Sequence, residues 1–136
     1  MVEFMKRNVG VVIRTKNESR WIRFCLTSLY KQKKIDKLSV VIVDCDSIDF
    51  TIEKAKKVNP KLKVVKYHGE YFPGHAINLG IKELKNINYV VILSAHCIPI
   101  GSDWLSKLLK PLEENKEIAG SYCRQIPTPA SSHENR

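Results

Sequence analysis

The sequence predicts an α/β fold, a mostly parallel sheet with helices on both faces. The first sign is three runs of branched apolar residues that stop abruptly in polar ones. Val9-Gly10-Val11-Val12-Ile13 meets Arg14-Thr15-Lys16-Asn17-Glu18, Val40-Val41-Ile42-Val43 meets Asp44-Cys45-Asp46-Ser47, and Tyr89-Val90-Val91-Ile92-Leu93 meets Ser94-Ala95-His96-Cys97. Near-continuous apolar runs of this length suit strands buried on both faces. The second sign is alternation: segments with helical periodicity separate the runs, which is the pattern of βαβ units. The third is size, since 136 residues with 43% hydrophobic content support one core. A parallel sheet places its ligand crevice beyond the carboxyl ends of the strands, so the three polar clusters should share one edge.

In chain order, a first strand is expected over Val9–Arg14. A helix follows over Ser19–Gln32, because Ile22, Cys25, Leu26 and Leu29 fall on one helical face. Asn17 or Ser19 is placed to cap it, and Glu18 suits the N-terminal dipole. A second strand covers Leu38–Val43. A more polar helix covers Phe50–Val58, with Asp49 as a cap and Asn59-Pro60 as its stop. A weaker third strand spans Leu62–Tyr67. Pro73-Gly74 breaks the chain before a helix over His75–Lys85, and a fourth strand spans Asn88–Leu93. After Pro99 and Gly101, Ser102 or Asp103 caps a helix with Leu105, Leu108, Leu109 and Leu112 on one face. Ile118–Tyr122 is expected to form a fifth strand. Residues 127–136 read as a loose, polar, proline-broken tail, which leaves residues 1–126 as a single domain.

Composition excludes several classes. No apolar stretch approaches the ~20 residues that span a bilayer. The start, Met1-Val2-Glu3-Phe4-Met5-Lys6-Arg7, lacks the apolar region of a secretory signal. A cytosolic protein is expected on those grounds. Cys25, Cys45, Cys97 and Cys123 form no C-x-x-C pair, which disfavours a zinc ribbon or thioredoxin motif and leaves free thiols as the expectation. Cys45, Cys97, Asp44 and His96 could meet at the strand edge as zinc ligands, but they lack any ligand spacing. The net charge of +9 is confined to residues 1–68, which carry 16 Lys+Arg and 7 Asp+Glu, while residues 69–136 carry 7 of each. A basic half suits a phosphorylated ligand, an anionic membrane surface at its inner face, nucleic acid, or only a solvated lysine-rich surface. Aromatic residues do not interleave with the basic ones as in stacking platforms, which weighs against nucleic acid.

Motifs narrow the fold further. The chain has no G-x-G-x-x-G after the first strand, no G-x-x-x-x-G-K-[ST] and no G-x-S-x-G, so dinucleotide, P-loop and common hydrolase folds are disfavoured. Four segments carry a resemblance instead. Val11-Val12-Ile13-Arg14-Thr15-Lys16-Asn17-Glu18 is similar to a first strand with a P-T-x-N-E turn. Val41-Ile42-Val43-Asp44-Cys45-Asp46-Ser47-Ile48-Asp49 is similar to V-V-D-D-G-S-T-D. Gly74-His75-Ala76-Ile77-Asn78-Leu79-Gly80 is similar to a G-x-x-x-A/N-x-G helix start. Leu93-Ser94-Ala95-His96, followed by Asp103-Trp104-Leu105, stands where L-D-x-D and a later W-L helix are found. In this order and spacing, over residues 8–125, the chain resembles the N-terminal, donor-binding half of a family 2 glycosyltransferase with the GT-A fold, a Rossmann-like nucleotide-binding sheet.

The resemblance implies a nucleotide-diphosphate sugar as donor and a saccharide or lipid-linked acceptor hydroxyl. It places Thr15, Asn17 and Glu18 around base and ribose, although the same residues also suit a capping turn. Asp44 and Asp46 can accept a base N–H or a ribose hydroxyl, while Asp46 and Asp49 also suit turn formation. Cys45 stands where the family has a second aspartate, and a thiol is a weak hydrogen-bond partner. His75 would meet phosphate or ribose at a helix N-terminus. Asn78 borders the pocket or is buried against backbone groups. Where the family's D-x-D holds Mg²⁺ or Mn²⁺ by carboxylate oxygens, this chain has Ser94 and His96. Three readings follow: a metal-free site in which His96 and basic side chains offset phosphate charge, His96 as a metal ligand aided by residues absent from this chain, or a degenerate non-catalytic domain. The family's general base comes from its second half, so the chain is expected to be a truncated donor-binding half with no catalytic base of its own. A non-catalytic nucleotide- or nucleic-acid-binding α/β module and a receiver-like interaction module remain the alternatives.

Overall fold

The computed structural model describes residues 5–129. Its elements alternate in order: β1 (Asn8–Thr15), α1 (Ile22–Tyr30), β2 (Lys37–Asp44), α2 (Thr51–Val58), β3 (Lys63–Lys66), α3 (Pro73–Lys82), β4 (Tyr89–Ser94) and α4 (Trp104–Glu114). The four strands form one parallel sheet in the order β3-β2-β1-β4. The α/β fold expected from the sequence is therefore present.

Alternation along each strand decides what lies on which face. Val9, Val11, Ile13 and Ile42 point to one face and are fully buried. That face is covered on the side where α1 and α2 pack together. Val12 and Val43 point to the other face, where they pack with Ala76 of α3. Gly80 makes that approach close: a Cβ there would stand 2.5 Å from Val12 Cγ1 and 2.9 Å from Val43 Cγ2. Overlaps that short force a packed core to shift.

The fourth strand departs from expectation. It is not buried on both faces, because Val90 and Ile92 are exposed while Tyr89, Val91 and Leu93 are buried. The physical reason is placement. Helix α3 lies over β1 and β2, and β4 is an edge strand whose α3-side face is left open. The expected strand over Ile118–Tyr122 does not form, and these residues are irregular. A strand needs a neighbour for its backbone groups, and the local bond here runs instead from the Ser121 hydroxyl to the Leu108 carbonyl at 2.5 Å.

The chain divides into two compact units, the first ending at Ser106 and the second beginning at Lys107. In the first, the segment before α4 is tied to the end of α1. The Gln32 side chain accepts from Leu105 N–H at 2.9 Å and donates to the Gly101 carbonyl at 2.7 Å. Of the tail expected over 127–136, residues 127–129 are exposed and irregular, and the rest lies outside the described residues. Among the described residues no helix is long and apolar enough to cross a membrane.

Candidate functional site

The strand order creates a switch point. From β1 the chain adds β2 and then β3 on one side, and β4 joins β1 on the other. In open parallel sheets the ligand crevice opens at such a point, beyond the carboxyl ends. Register places Thr15 beside Asp44, Asp44 beside Lys66, and Arg14 beside Ser94. Neighbours in register point to the same face, so two lateral rows form. Thr15, Asp44 and Lys66 face the α1 and α2 side, while Arg14 and Ser94 face the α3 side.

The first row is closed. Asp44 is fully buried, and its carboxylate accepts from Thr15 Oγ1 at 2.9 Å, Lys66 Nζ at 2.7 Å and Ser47 N–H at 3.3 Å. Burial opposes its ionisation, but the bonds from Lys66, Ser47 and Thr15 outweigh burial and hold its pKa below the ordinary carboxylate value. Asp44 and Thr15 therefore hold the sheet edge together. Lys66, half-exposed, had no signal in the sequence, because its place beside Asp44 depends on strand register.

The turns that follow β1 and β2 are laced by side chains. Asn17 N–H donates to Ser47 Oγ at 2.9 Å, and Ile48 N–H donates to Asn17 Oδ1 at 2.9 Å. Glu18 N–H donates to Thr51 Oγ1 at 2.8 Å, and Ser19 N–H donates to Asp49 Oδ2 at 3.1 Å. The Thr51 hydroxyl also donates to Asp49 Oδ1. Asn17 and Asp46 both adopt left-handed backbone, with φ of 55° and 56°, a region that Asn and Asp tolerate better than most residues. The lacing corrects the expected caps. Helix α1 begins after Trp21 with no side-chain cap, because Asn17 and Ser19 are engaged with the second turn. Asp49 does serve α2, accepting from Thr51 N–H at 3.0 Å. Burial works against its charge, but the bonds from Thr51 and Ser19 prevail and hold its carboxyl at about 2.

At the switch point, Glu18 and His96 meet. His96 Nδ1 lies 2.9 Å from Glu18 Oε1. A carboxylate only accepts, so Nδ1–H is the donor, and Nε2 remains on a ring that is mostly exposed. In the row facing α3, Arg14 Nη1 donates to Tyr71 Oη at 2.6 Å, while the buried Arg14 Nε–H has no acceptor among the described residues. Asp46 Oδ1 is 2.6 Å from Nδ1 of His68, a partner on the β3–α3 loop that sequence reading missed. Cys45 is buried, and its thiol pKa is raised by that burial and by the charge of Asp44, against Lys16 and Arg14. Cys25, in the α1 core, is pushed up to about 12 by burial, then by Cys97 and Glu18. Both thiols are held protonated and act as packing.

Helix α3 sorts its two candidates. His75 is exposed in the first turn, with its ring 5.3 Å from that of Phe72. Asn78 is exposed, not buried. It sits two positions from both Ala76 and Gly80, which face the sheet, and two residues of helix turn it about 200° away.

The residues present do not fit a divalent cation held by this chain. Among the described residues no group of three or more His, Cys, Asp or Glu side chains could hold a metal ion. At the end of β4 the available donors are the Ser94 hydroxyl and the His96 imidazole, with Glu18 as the carboxylate beside them. Hard cations favour several oxygen ligands, carboxylates above all. The zinc grouping of Cys45, Cys97, Asp44 and His96 fails by the same criterion.

Comparison with known proteins fits this geometry. A family model described as "Glycosyl transferase family 2" matches residues 10–133. No curated protein matches the chain. Among solved structures, the mannosyltransferase PcManGT from Pyrobaculum calidifontis, in complex with GDP-Man and Mn²⁺, is 29% identical with a TM-score of 0.65, over 80% of this chain and 33% of that one. TarS of S. aureus is 25% identical with a TM-score of 0.63, over 79% of this chain and 20% of that one. Glucosyl-3-phosphoglycerate synthase from Mycobacterium tuberculosis, in complex with uridine-diphosphate, is 21% identical with a TM-score of 0.61, over 81% and 41%. That last likeness speaks for the fold alone. The chain spans about a third of the length of the mannosyltransferase.

Proposed function

The chain belongs to glycosyl transferase family 2, and on that premise we propose that it binds a nucleotide-diphosphate sugar at the carboxyl edge of its sheet, for transfer of the sugar to an acceptor hydroxyl. The observation that carries this is the pair of laced turns beside the switch point. Four backbone N–H groups of one or the other turn are held by side chains of its partner. Such lacing preorganises a ligand wall, which lowers the ordering cost of binding.

Within that wall the geometry separates two kinds of residue. Thr15 and Asp44 position the turns. Asn17, Glu18 and Asp46 present polar atoms at the edge toward base and ribose, and His75 stands in the first turn of α3, where anions are favoured. Ser94-Ala95-His96 replaces the D-x-D motif, with Glu18 orienting His96 from across the crevice. The complex of the mannosyltransferase with GDP-Man and Mn²⁺ makes nucleoside diphosphates the first probes. The base that deprotonates the acceptor is assigned to no residue of this chain. A cytosolic placement, with the basic half against an anionic membrane surface, belongs to the same proposal, and co-sedimentation with anionic vesicles tests it.

The direct test is a thermal-shift and calorimetric panel of UDP, GDP, dTDP and CDP on the purified chain. Saturable binding of one of them, weakened by Glu18→Ala, is expected. No binding to any of the four would refute the donor site.

A further inference from the structure

We propose that Arg14, with Ser94 beside it, is the charge-bearing contact to the donor's diphosphate, and that binding there needs no divalent cation. The inference rests on the donor-site reading above and goes past it by naming the phosphate ligand and its charge balance. A nucleoside diphosphate brings concentrated negative charge to the crevice, and something must offset it. Among the described residues, the end of β4 has no set of carboxylates for a cation. One strand over, at the same register level, stands Arg14.

Three observations point to Arg14. It is at the switch point, since β1 is the strand between β2 and β4. Adjacent strands lie about 4.8 Å apart, so the Ser94 hydroxyl sits beside the root of the Arg14 side chain and offers a second donor to the same oxygen-rich group. The guanidinium is also held but not satisfied. Tyr71 Oη takes Nη1 at 2.6 Å, while Nε–H is buried with no acceptor among the described residues. Arg14 is only partly buried, so an incoming phosphate would meet the outer edge of the guanidinium, whose fork fits its oxygens, while the unpartnered Nε–H shows that the described residues do not themselves satisfy this cation. Tyr71 then serves as the strut that fixes the fork before the ligand arrives. The Thr15, Asp44 and Lys66 row offers no such opening, because its cation is already paired.

The test is calorimetry of the 136-residue chain with whichever diphosphate of UDP, GDP, dTDP or CDP it binds, and with the matching monophosphate, in EDTA and in Mn²⁺. The expected result is a diphosphate affinity in EDTA within about threefold of that in Mn²⁺. Arg14→Gln should weaken the diphosphate about tenfold or more and the monophosphate less, a selective loss that a charge-assisted bidentate contact predicts. Arg14→Lys, which keeps the charge but loses the fork, should fall between. Circular dichroism and melting temperature establish that each variant is folded. If Mn²⁺ strengthens wild-type binding more than tenfold, the metal-free inference fails. If folded Arg14→Gln binds the diphosphate as wild type does, the Arg14 assignment fails. If wild type binds no diphosphate under either condition, the donor-site reading itself fails, and this inference with it.

Discussion

Two rows of side chains run across the same edge of one sheet, and they are built oppositely. Thr15, Asp44 and Lys66 form a row in which every interaction closes inside the protein. Arg14 and Ser94 form a row with a buried donor left over. Only one residue of backbone alternation separates them. The contrast shows that a polar cluster at a strand end is not one site. Half of it is closed by internal bonds, and half keeps a donor without an acceptor among the described residues.

Substitutions can break that contrast. The largest effect is expected from Asp44→Ala, which removes the acceptor for Thr15, Ser47 and Lys66 together. The buried Thr15 hydroxyl and the part-buried Ser47 N–H, left without their acceptor, should lower the unfolding free energy by about 3 kcal/mol, read from urea denaturation. Gly80→Ala tests the packing under the open row. Its Cβ would meet Val12 and Val43 below 3 Å, so a loss of about 2 kcal/mol is expected. A loss under about 0.5 kcal/mol would show that α3 lifts easily from the sheet.

The closed side should also carry the acid sensitivity. Asp49 is held at about 2 and Asp44 below its ordinary value. A carboxyl depressed in the folded state contributes stability that is present above its unfolded pKa of about 4 and is lost as pH falls through the folded value. Stability should therefore drop between about pH 4 and pH 2, and Asp49→Asn should flatten that slope. An unchanged slope in the variant would remove Asp49 from the account. The smallest stability effect belongs to the open row. Arg14→Met loses the Tyr71 bond but also removes the buried N–H without an acceptor, so stability should stay within about 0.5 kcal/mol of wild type. A loss as large as that of Asp44→Ala would make Arg14 a scaffold residue and erase the difference between the rows.

Much of this was legible in the residues. The apolar runs located β1, β2 and β4 to within one or two positions, because strands inside a sheet must be apolar wherever they are covered. The turn motifs located Glu18, Asp46 and His96 at the carboxyl edge of the sheet. Ile118–Tyr122 misled because β-forming residues without a paired neighbour do not make a strand. The buried reading of Asn78 misled, because spacing within a motif does not state which helical face meets the sheet. Lys66, His68, Thr51 and Tyr71 left no readable signal, since each matters through a partner at least 22 residues away in sequence.

By itself, then, the sequence determined an α/β sheet, its family and the edge on which the polar clusters gather. Those follow from hydrophobic periodicity and local turn chemistry, which are written in consecutive residues. Only the tertiary structure decided that the Asp44 carboxylate is fully paired and that the Arg14 guanidinium is not. That distinction depends on strand order, register and the face each side chain takes, and a shift of one residue in register would have exchanged the two rows.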